Sequence, residues 1–515
     1  MNNVGTRVPI LCLLCLRQFH IAALNRKTMK HLQQFVSVFF LMLLAVSCLP
    51  ANCQTKLPDS PYSPFFGSGL QRTMSLLAGS NPWRHNQIKI LVYGQSITAQ
   101  GYIDRYLKDE FARLYPDARV SIDNRSISGY GAEKLVRTAQ QDLYPEYPDL
   151  IIFHDYGGTY TGELERIISN ICRYTTSEFM ILTHHVDAGA GSWNADCSKV
   201  IRELAAKYGC EVADMRADWE AYIKQENLDP KMLLADSVHP NDRGGDLMAQ
   251  LAARHFVLNP YIARSWENTV RTYEARRGVE EAPDEIRFSE DPWTVENSGT
   301  VGTDPKSALI LKFTGNRVDI VSQVISDKPG SAKILIDGKA PSSFSSVWAA
   351  SRANPLYEFW FPSVSRVTLG GKPVAEDWTL YAKIKSDDGR DFTFEAVGSV
   401  TGKDGEGNGK QPFVSKSGII HILPMDFASA GVNEWLDVPY RKFPLPKEMQ
   451  YKWSVYCMGM DIFKPVLSTQ QGAINQATIV KGLPNGNHEL KIIPIGDGPV
   501  PVKEIIVHNP PMSGF

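Results

Sequence analysis

Between residues 88 and 256 short apolar runs alternate with longer segments whose apolar residues return every three or four positions. The runs are "IKILVYG", "ARVSID", "DLIIFH", "EFMILTH" and "CEVAD". The intervening segments carry Ile103, Tyr106, Leu107, Phe111 and Leu114, then a helical stretch at 132–143, then Leu164, Ile167, Ile168 and Ile171, then Val200 and Leu204. A last segment with Leu247, Met248, Leu251 and Phe256 closes the series. Continuous apolar runs this short suit strands buried on both faces, and the three-four spacing gives each connecting helix one apolar face. Strand and helix alternating at this length require right-handed crossovers, hence a parallel sheet with helices on both sides. The expected class is α/β.

That texture ends near residue 270. After the charged stretch "YEARRGVEEAPDE" come "SALILKFTG", "RVDIVSQ", "SAKILIDGK", "WTLYAKIKSDDGRDFTFEAV", "SGIIHIL", "QATIVKG", "NHELKIIP" and "VKEIIVH". These are short strands parted by turn residues, as in "DDGRD" and "PNGNHE". They predict an antiparallel β-sandwich, either one with a long insertion or two. The 515 residues thus divide into an extension plus leader at 1–53, an α/β domain at 54–270 and a β-rich region at 271–515.

From Met29 the sequence reads "MKHLQQFVSVFFLMLLAVSCLPANCQTK". A lysine, an apolar run over 35–46, then small residues and cysteine are the layout of a secretory signal peptide. The run is short for a full membrane span. "LAVSC" also offers Cys48 as an acylated lipoprotein cysteine, so a secreted or periplasmic protein is expected, or an outer-membrane lipoprotein, with membrane contact only through a lipidated Cys48. A formal charge of −2 leaves no electrostatic footprint for nucleic acid. Beyond residue 53 the cysteines are Cys172, Cys197, Cys210 and Cys457, without the CxxC spacing of a zinc site. One disulfide among the first three, or buried thiols, are the two readings.

In open parallel sheets ligands sit beyond the carboxyl ends of the strands. Collected there are Gly94-Gln95-Ser96 after the first run, "NRSISGYG" with Gly129 after the second, "HDYGG" with His154, Asp155 and Tyr156 after the third, "THHVDAG" with His184, His185 and Asp187 after the fourth, and "DSVHPN" with Asp236 and His239 beyond the fifth. A serine hydrolase needs a nucleophile, an imidazole to take its proton and an acid to orient that imidazole. It also needs N–H donors for the developing oxyanion. Ser96, His239 and Asp236 supply the first three, although Ser96 also reads as a helix N-cap and His239 as a structural histidine. The amides of Ser96 and Gly129 supply donors, glycine allowing close backbone approach.

In these blocks the chain resembles the GDSL/SGNH hydrolases, esterases and lipases of flavodoxin-like three-layer fold. Gly94-Gln95-Ser96 matches their Gly-Asp-Ser, Gly129 their second-block glycine, and "DSVHP" their Asp-x-x-His-Pro. The likeness covers roughly residues 85–260. It implies Ser96 as nucleophile, His239 as base, Asp236 as orienting acid and Gly129 in the oxyanion hole, with no cofactor and no metal. Gln95 stands where the family has Asp, as in related carbohydrate acetylesterases. The third block, Gly-x-Asn-Asp, is absent: the strand ends "FHDYGG", leaving either Tyr156 or His154 as replacement donor or a hole of two backbone N–H groups. Losing one oxyanion donor costs about 10²–10³ in rate.

Gln95, His154, Asp155, His184, His185 and Asp187 are expected as substrate contacts around the rim, since HHxD has no standard metal spacing. "DGEGNG" at 404–409 lacks the Glu of a calcium loop and reads as a glycine-rich hairpin. Trp348, Tyr357, Phe359 and Trp360 are either core or a sugar-stacking platform. The expected function is an exported serine esterase removing acyl groups, acetyl foremost, from a polysaccharide or oligosaccharide. The alternatives are a glycoside hydrolase using Asp155, Asp187 and Asp236, and a non-catalytic glycan-binding protein.

Overall fold

A computed structural model of the chain describes residues 56–188, 193–262, 265–275, 286–289, 293–296, 299–323, 328–353, 363–387, 389–428, 432–433, 438–439, 447–466 and 472–512. The leader, Cys48, Tyr357, Phe359 and Trp360 lie outside the described residues.

The five predicted strands form, at β1 (Gln87–Gly94), β2 (Arg119–Asn124), β3 (Leu150–His154), β4 (Glu178–Leu182) and β5 (Glu211–Ala213). They pair in the order β2-β1-β3-β4-β5, every pair parallel. Successive side chains of a strand point to opposite faces, so β1 feeds two cores. Ile90 and Val92 pack with helices α1 (Gln71–Ala78) and α3 (Tyr102–Leu114). Leu91 and Tyr93 pack with α4 (Ala132–Asp142), α5 (Glu163–Tyr174) and α6 (Trp193–Tyr208). Between β1 and α3 lies the single turn α2 (Ser96–Ala99). The helices α7 (Met215–Glu226) and α8 (Asp242–Ala253) return to the first face, with Met215, Trp219, Leu247 and Leu251 in its core. The result is a three-layer α/β unit.

The β-rich part is one sandwich carrying a second module as an insertion. Its spine is two long antiparallel strands, Ala308–Gln323 and Ile474–Pro494, in a seven-stranded sheet. Trp293–Glu296, Gly299–Gly302 and Val500–Val502 form an opposing three-stranded sheet. Trp293, Leu309, Ile334, Ile492 and Val500 fill the core between. The expectation of separate strands within each spine segment is corrected here. "PNGNHE" does not reverse the chain: Gly315 pairs with Gly486 and Arg317 with Lys481, so residues 482–485 bulge out of a continuous ladder. Pro484 sits in that bulge, where its missing N–H costs no ladder hydrogen bond.

The insertion runs between Trp348–Ala350 and Glu448–Cys457 and has its own core of Trp378, Phe394, Phe413, Ile420 and Trp453. Trp348 packs against that core and donates through Nε1 to Ser342 O (2.9 Å), which is core packing. "GKDGEGN" is the strand Gly402–Asn408, paired antiparallel with Phe392–Gly398 as the hairpin reading expects. Asp404 accepts from the Ser417 amide (2.9 Å) and is structural. The expected disulfide is also corrected: Cys172, Cys197, Cys210 and Cys457 are all free thiols. Burial pushes the Cys172 thiol up to about 11 and raises Cys210 further, as suits cysteines used as small apolar residues.

A buried polar seam joins sandwich and α/β unit. Asp319, fully buried, accepts two hydrogen bonds from Arg317 (3.0 and 2.8 Å), whose Nη1 also donates to Tyr147 O (3.1 Å). Tyr147 donates to Asn316 Oδ1 (2.7 Å), and Asn316 donates to Tyr174 O (2.9 Å). Nearby, Arg84 grips Glu504 through both nitrogens (3.1 and 2.9 Å). Removing one partner of such a pair strands the other charge in the interior. Asp319→Ala is expected to lower unfolding free energy by about 3–5 kcal/mol, and Arg317→Met with Asp319→Leu to cost much less. Urea denaturation midpoints of the three proteins check this.

Candidate active site

Parallel pairing places Gly94, His154 and Leu182 at one edge of the sheet, and the segments following them build the site. Gly94 has φ +152°, and a Cβ there would lie 2.0 Å from His154 O. Only glycine lets the tips of β1 and β3 close this far. The next residue caps the short helix: Gln95 Oε1 accepts from the Ile97 amide (3.2 Å). Ser96 is therefore not the N-cap but the first helical residue. Its own amide falls among those that no intrahelical carbonyl takes. Across from it, Ile127 donates to Gly94 O (2.9 Å), which lays the loop after β2 along the tip of β1. Residues 127–130 then form a turn closed by Tyr130 N to Ile127 O (3.1 Å), with Gly129 at φ +79°. That is the third position of a type II turn, whose amide the turn's own bond does not use.

The loop beyond β5 brings the other two groups. His239 Nε2 lies 2.8 Å from Ser96 Oγ, across 143 residues of sequence. On the far side of the ring, Nδ1 donates to Asp236 Oδ2 (2.8 Å). The other carboxylate oxygen accepts from the Val238 and His239 amides, each at 2.7 Å. Those two amides, with the imidazole beside them, hold Asp236 down at about 2. A carboxylate on Nδ1 leaves Nε2 as the acceptor that faces the serine. The serine hydroxyl has a second acceptor, Gln95 Oε1, at 2.6 Å. The arrangement can deprotonate Ser96 for attack on an electrophilic carbon, with the turn that carries Gly129 laid against the tip of β1.

The rim expected from the histidines is corrected by their burial. His154, His184 and His185 are fully buried, and Gln95 and Asp155 nearly so. Each is taken up inside. Gln95 Nε2 faces His154 Nδ1 (3.3 Å). His184 Nε2 donates to Asp155 O (2.6 Å), and Asp155 Oδ2 accepts from the Ala132 amide at the start of α4 (3.0 Å). Burial pushes His184 and His185 down to about 4, holds His154 well below the usual imidazole range and, with Glu133 nearby, raises Asp155. Tyr156 Oη and His154 Nε2, the proposed third oxyanion donors, are shielded from solvent and make no hydrogen bond. Asp187 alone of the set is partly exposed, and it accepts from Asn194 Nδ2. Asp155, Asp187 and Asp236 are thus committed to different partners. Among the described residues no cluster of three His, Cys, Asp or Glu is arranged to hold a metal ion.

Two roles here are not legible in the sequence: that of His185, expected there as a substrate contact on the rim, and that of Trp193. His185 Nε2 donates to Val238 O (2.7 Å), and Ala188 N donates to Ser237 O (2.9 Å), so the loop after β4 clasps the loop that carries His239. Trp193, at the start of α6, stands exposed beside His184 and Tyr156. Neither has a local signal, because both act through long-range contacts.

Two outcomes follow from this geometry. His185→Phe removes the donor to Val238 and loosens the histidine loop, so any turnover that passes through Ser96 and His239 is expected to fall by about 10–10²-fold in kcat with little change in KM. His185→Gln, which keeps an N–H donor, should recover much of it, and steady-state kinetics of the two variants checks this. Asp236 is held at about 2, below the roughly 3.9 of an unfolded aspartate, so what it contributes is kept above that range and lost as pH falls towards 2. Asp236 should accordingly add no protonation step to log kcat/KM against pH until the strongly acid range.

No protein-family model matches the chain, and no curated protein matches it. Among solved structures it is similar to an acetyl xylan esterase, at 20% identity over 33% of this chain and 100% of that one, with a TM-score of 0.29. It is similar to a two-domain esterase active on acetylated mannans, crystallised with mannopentaose, at 13% identity over 87% and 99% of the two chains and a TM-score of 0.33. An acetylxylan esterase from Geobacillus stearothermophilus matches at 16% identity over 34% and 97%, with a TM-score of 0.30.

Proposed function

We propose that the protein is an SGNH-type serine esterase that removes acyl groups, acetyl foremost, from a polysaccharide or oligosaccharide. The observation that carries this reading is the line from Ser96 Oγ through His239 to Asp236, both contacts at 2.8 Å. Ser96 Oγ attacks the ester carbonyl carbon and passes its proton to His239 Nε2. The amides of Ser96 and Gly129 receive the oxyanion. The imidazolium returns the proton to the departing sugar hydroxyl, leaving an acyl-enzyme on Ser96. Water, deprotonated by the same imidazole, then attacks the acyl carbon; the bond to Ser96 Oγ breaks, the imidazolium returns the proton to Oγ, and the acid leaves. With two backbone donors in place of three, the rate is expected to lie about 10²–10³ below that of a full oxyanion hole.

A polymeric substrate is supported by the openness of the site: the Asp236 side chain is 56% exposed and that of His239 34%. An acyl group displayed on a long chain reaches such a surface, whereas small free substrates are usually enclosed. Export belongs to the same reading, with the segment from Met29 as leader and Cys48 as tether where it is lipidated. The test is hydrolysis of p-nitrophenyl acetate and acetylated glycans by the mature protein. Ser96→Ala is expected to abolish both activities and labelling by a fluorophosphonate. Asp236→Asn should lower kcat by about 10⁴ through the wrong imidazole tautomer. Equal activity in the serine variant would remove the covalent route.

A further inference from the structure

Exposed indoles are ordinarily scattered singly, but Trp193 is held in a ring stack. Its side chain is 42% exposed, and its inner face lies on His184 (centroids 5.7 Å, 23° between planes) and Tyr156 (6.4 Å, 27°). Those two rings pack on each other at 4.3 Å, and His184 is fully buried. The indole is therefore fixed before any ligand arrives, which lowers the entropy lost on binding. The supporting rings sit on the segments after β3 and β4, the same sheet edge that carries Ser96. They connect to it through His154, which lies edge-on to Tyr156 (5.2 Å) and beside Gln95 (3.3 Å). At the foot of the stack Asp187 and Asn194 are hydrogen-bonded to each other.

A flat apolar ring face with a carboxylate at its margin matches one chemistry well. The axial C–H groups of a pyranose form an apolar face, while its equatorial hydroxyls project around the rim. We propose that Trp193, backed by His184 and Tyr156, is a sugar subsite beside Ser96 that takes a ring of the acylated chain. This rests on the esterase reading above, and the experiment separates the two.

Specificity constants are measured for acetylated xylo- and manno-oligosaccharides and for p-nitrophenyl acetate, which has no sugar to stack. The quantity read is the ratio of the first to the second. Trp193→Ala is expected to lower that ratio about tenfold, the loss usual for a central aromatic anchor, with Trp193→Phe in between. An unchanged ratio, whatever happens to the absolute rates, overturns the subsite. Equilibrium binding of the same oligosaccharides to Ser96→Ala protein gives a second reading that needs no turnover. There Trp193→Ala should weaken binding about tenfold, and equal affinity with and without the indole overturns the proposal. Wild-type protein inert on every ester sinks the esterase reading alone, since the binding measurement still decides the subsite.

Discussion

Everything in the candidate site depends on parallel strands ending together. When neighbouring strands point the same way, their carboxyl ends and the loops that follow collect at one edge, and residues far apart in sequence become neighbours there. Ser96 and His239 meet in this way, with the close approach of β1 to β3 at Gly94 tightening the edge. An antiparallel sheet with the same side chains would split the two groups between opposite edges. The helices on both faces do their part by burying β1 completely from Ile90 to Tyr93, so the platform under Ser96 has no freedom to tilt.

The buried histidines show how such an edge is stiffened without adding charge. Each is kept neutral by burial, and His184 and His185 each spend one N–H on a backbone carbonyl. A lysine in the same place would bring a charge whose desolvation the interior cannot offset. The site thereby concentrates its charge on Asp236, at the exposed margin, where two backbone amides hold the carboxylate ionised. Neutral rings inside and a carboxylate at the margin is a division of labour that leaves His239 paired with Asp236.

The α/β half was readable because its signals are local. Continuous apolar runs, three-four spacing and the Gly94 to Ser96 and Asp236 to Pro240 blocks each sit within a few residues, and all five strands lie where those runs place them. What stayed hidden depends on contacts across the sequence. The polar letters of "THHVDAG" look solvated, yet two of them point inward because carbonyls of Asp155 and Val238 wait there. Gln95 reads as a neutral departure from Asp, whereas in space it caps α2, holds the serine hydroxyl and touches His154. In the sandwich, "PNGNHE" carries every mark of a hairpin turn. Ladder hydrogen bonds on both sides of it outweigh that local preference and carry the strand through.

The second β-module leaves the sandwich and rejoins it at adjacent points: Trp348 pairs with Cys457, and Ala350 with Val455. A segment of about a hundred residues is thus spliced in through a gap no wider than two neighbouring strands, roughly 5 Å. Its host sheet closes over the junction as though nothing had been added, and its own core lies beyond it. The graft is nevertheless anchored beyond the sandwich: Arg352 donates to the buried Asp142 of α4 (2.9 Å) and to Arg125 O (2.6 Å), and Gln141 donates to Val367 O (3.0 Å). Its two ends lie side by side on the sandwich, while its flank is fastened to the α/β unit that carries Ser96.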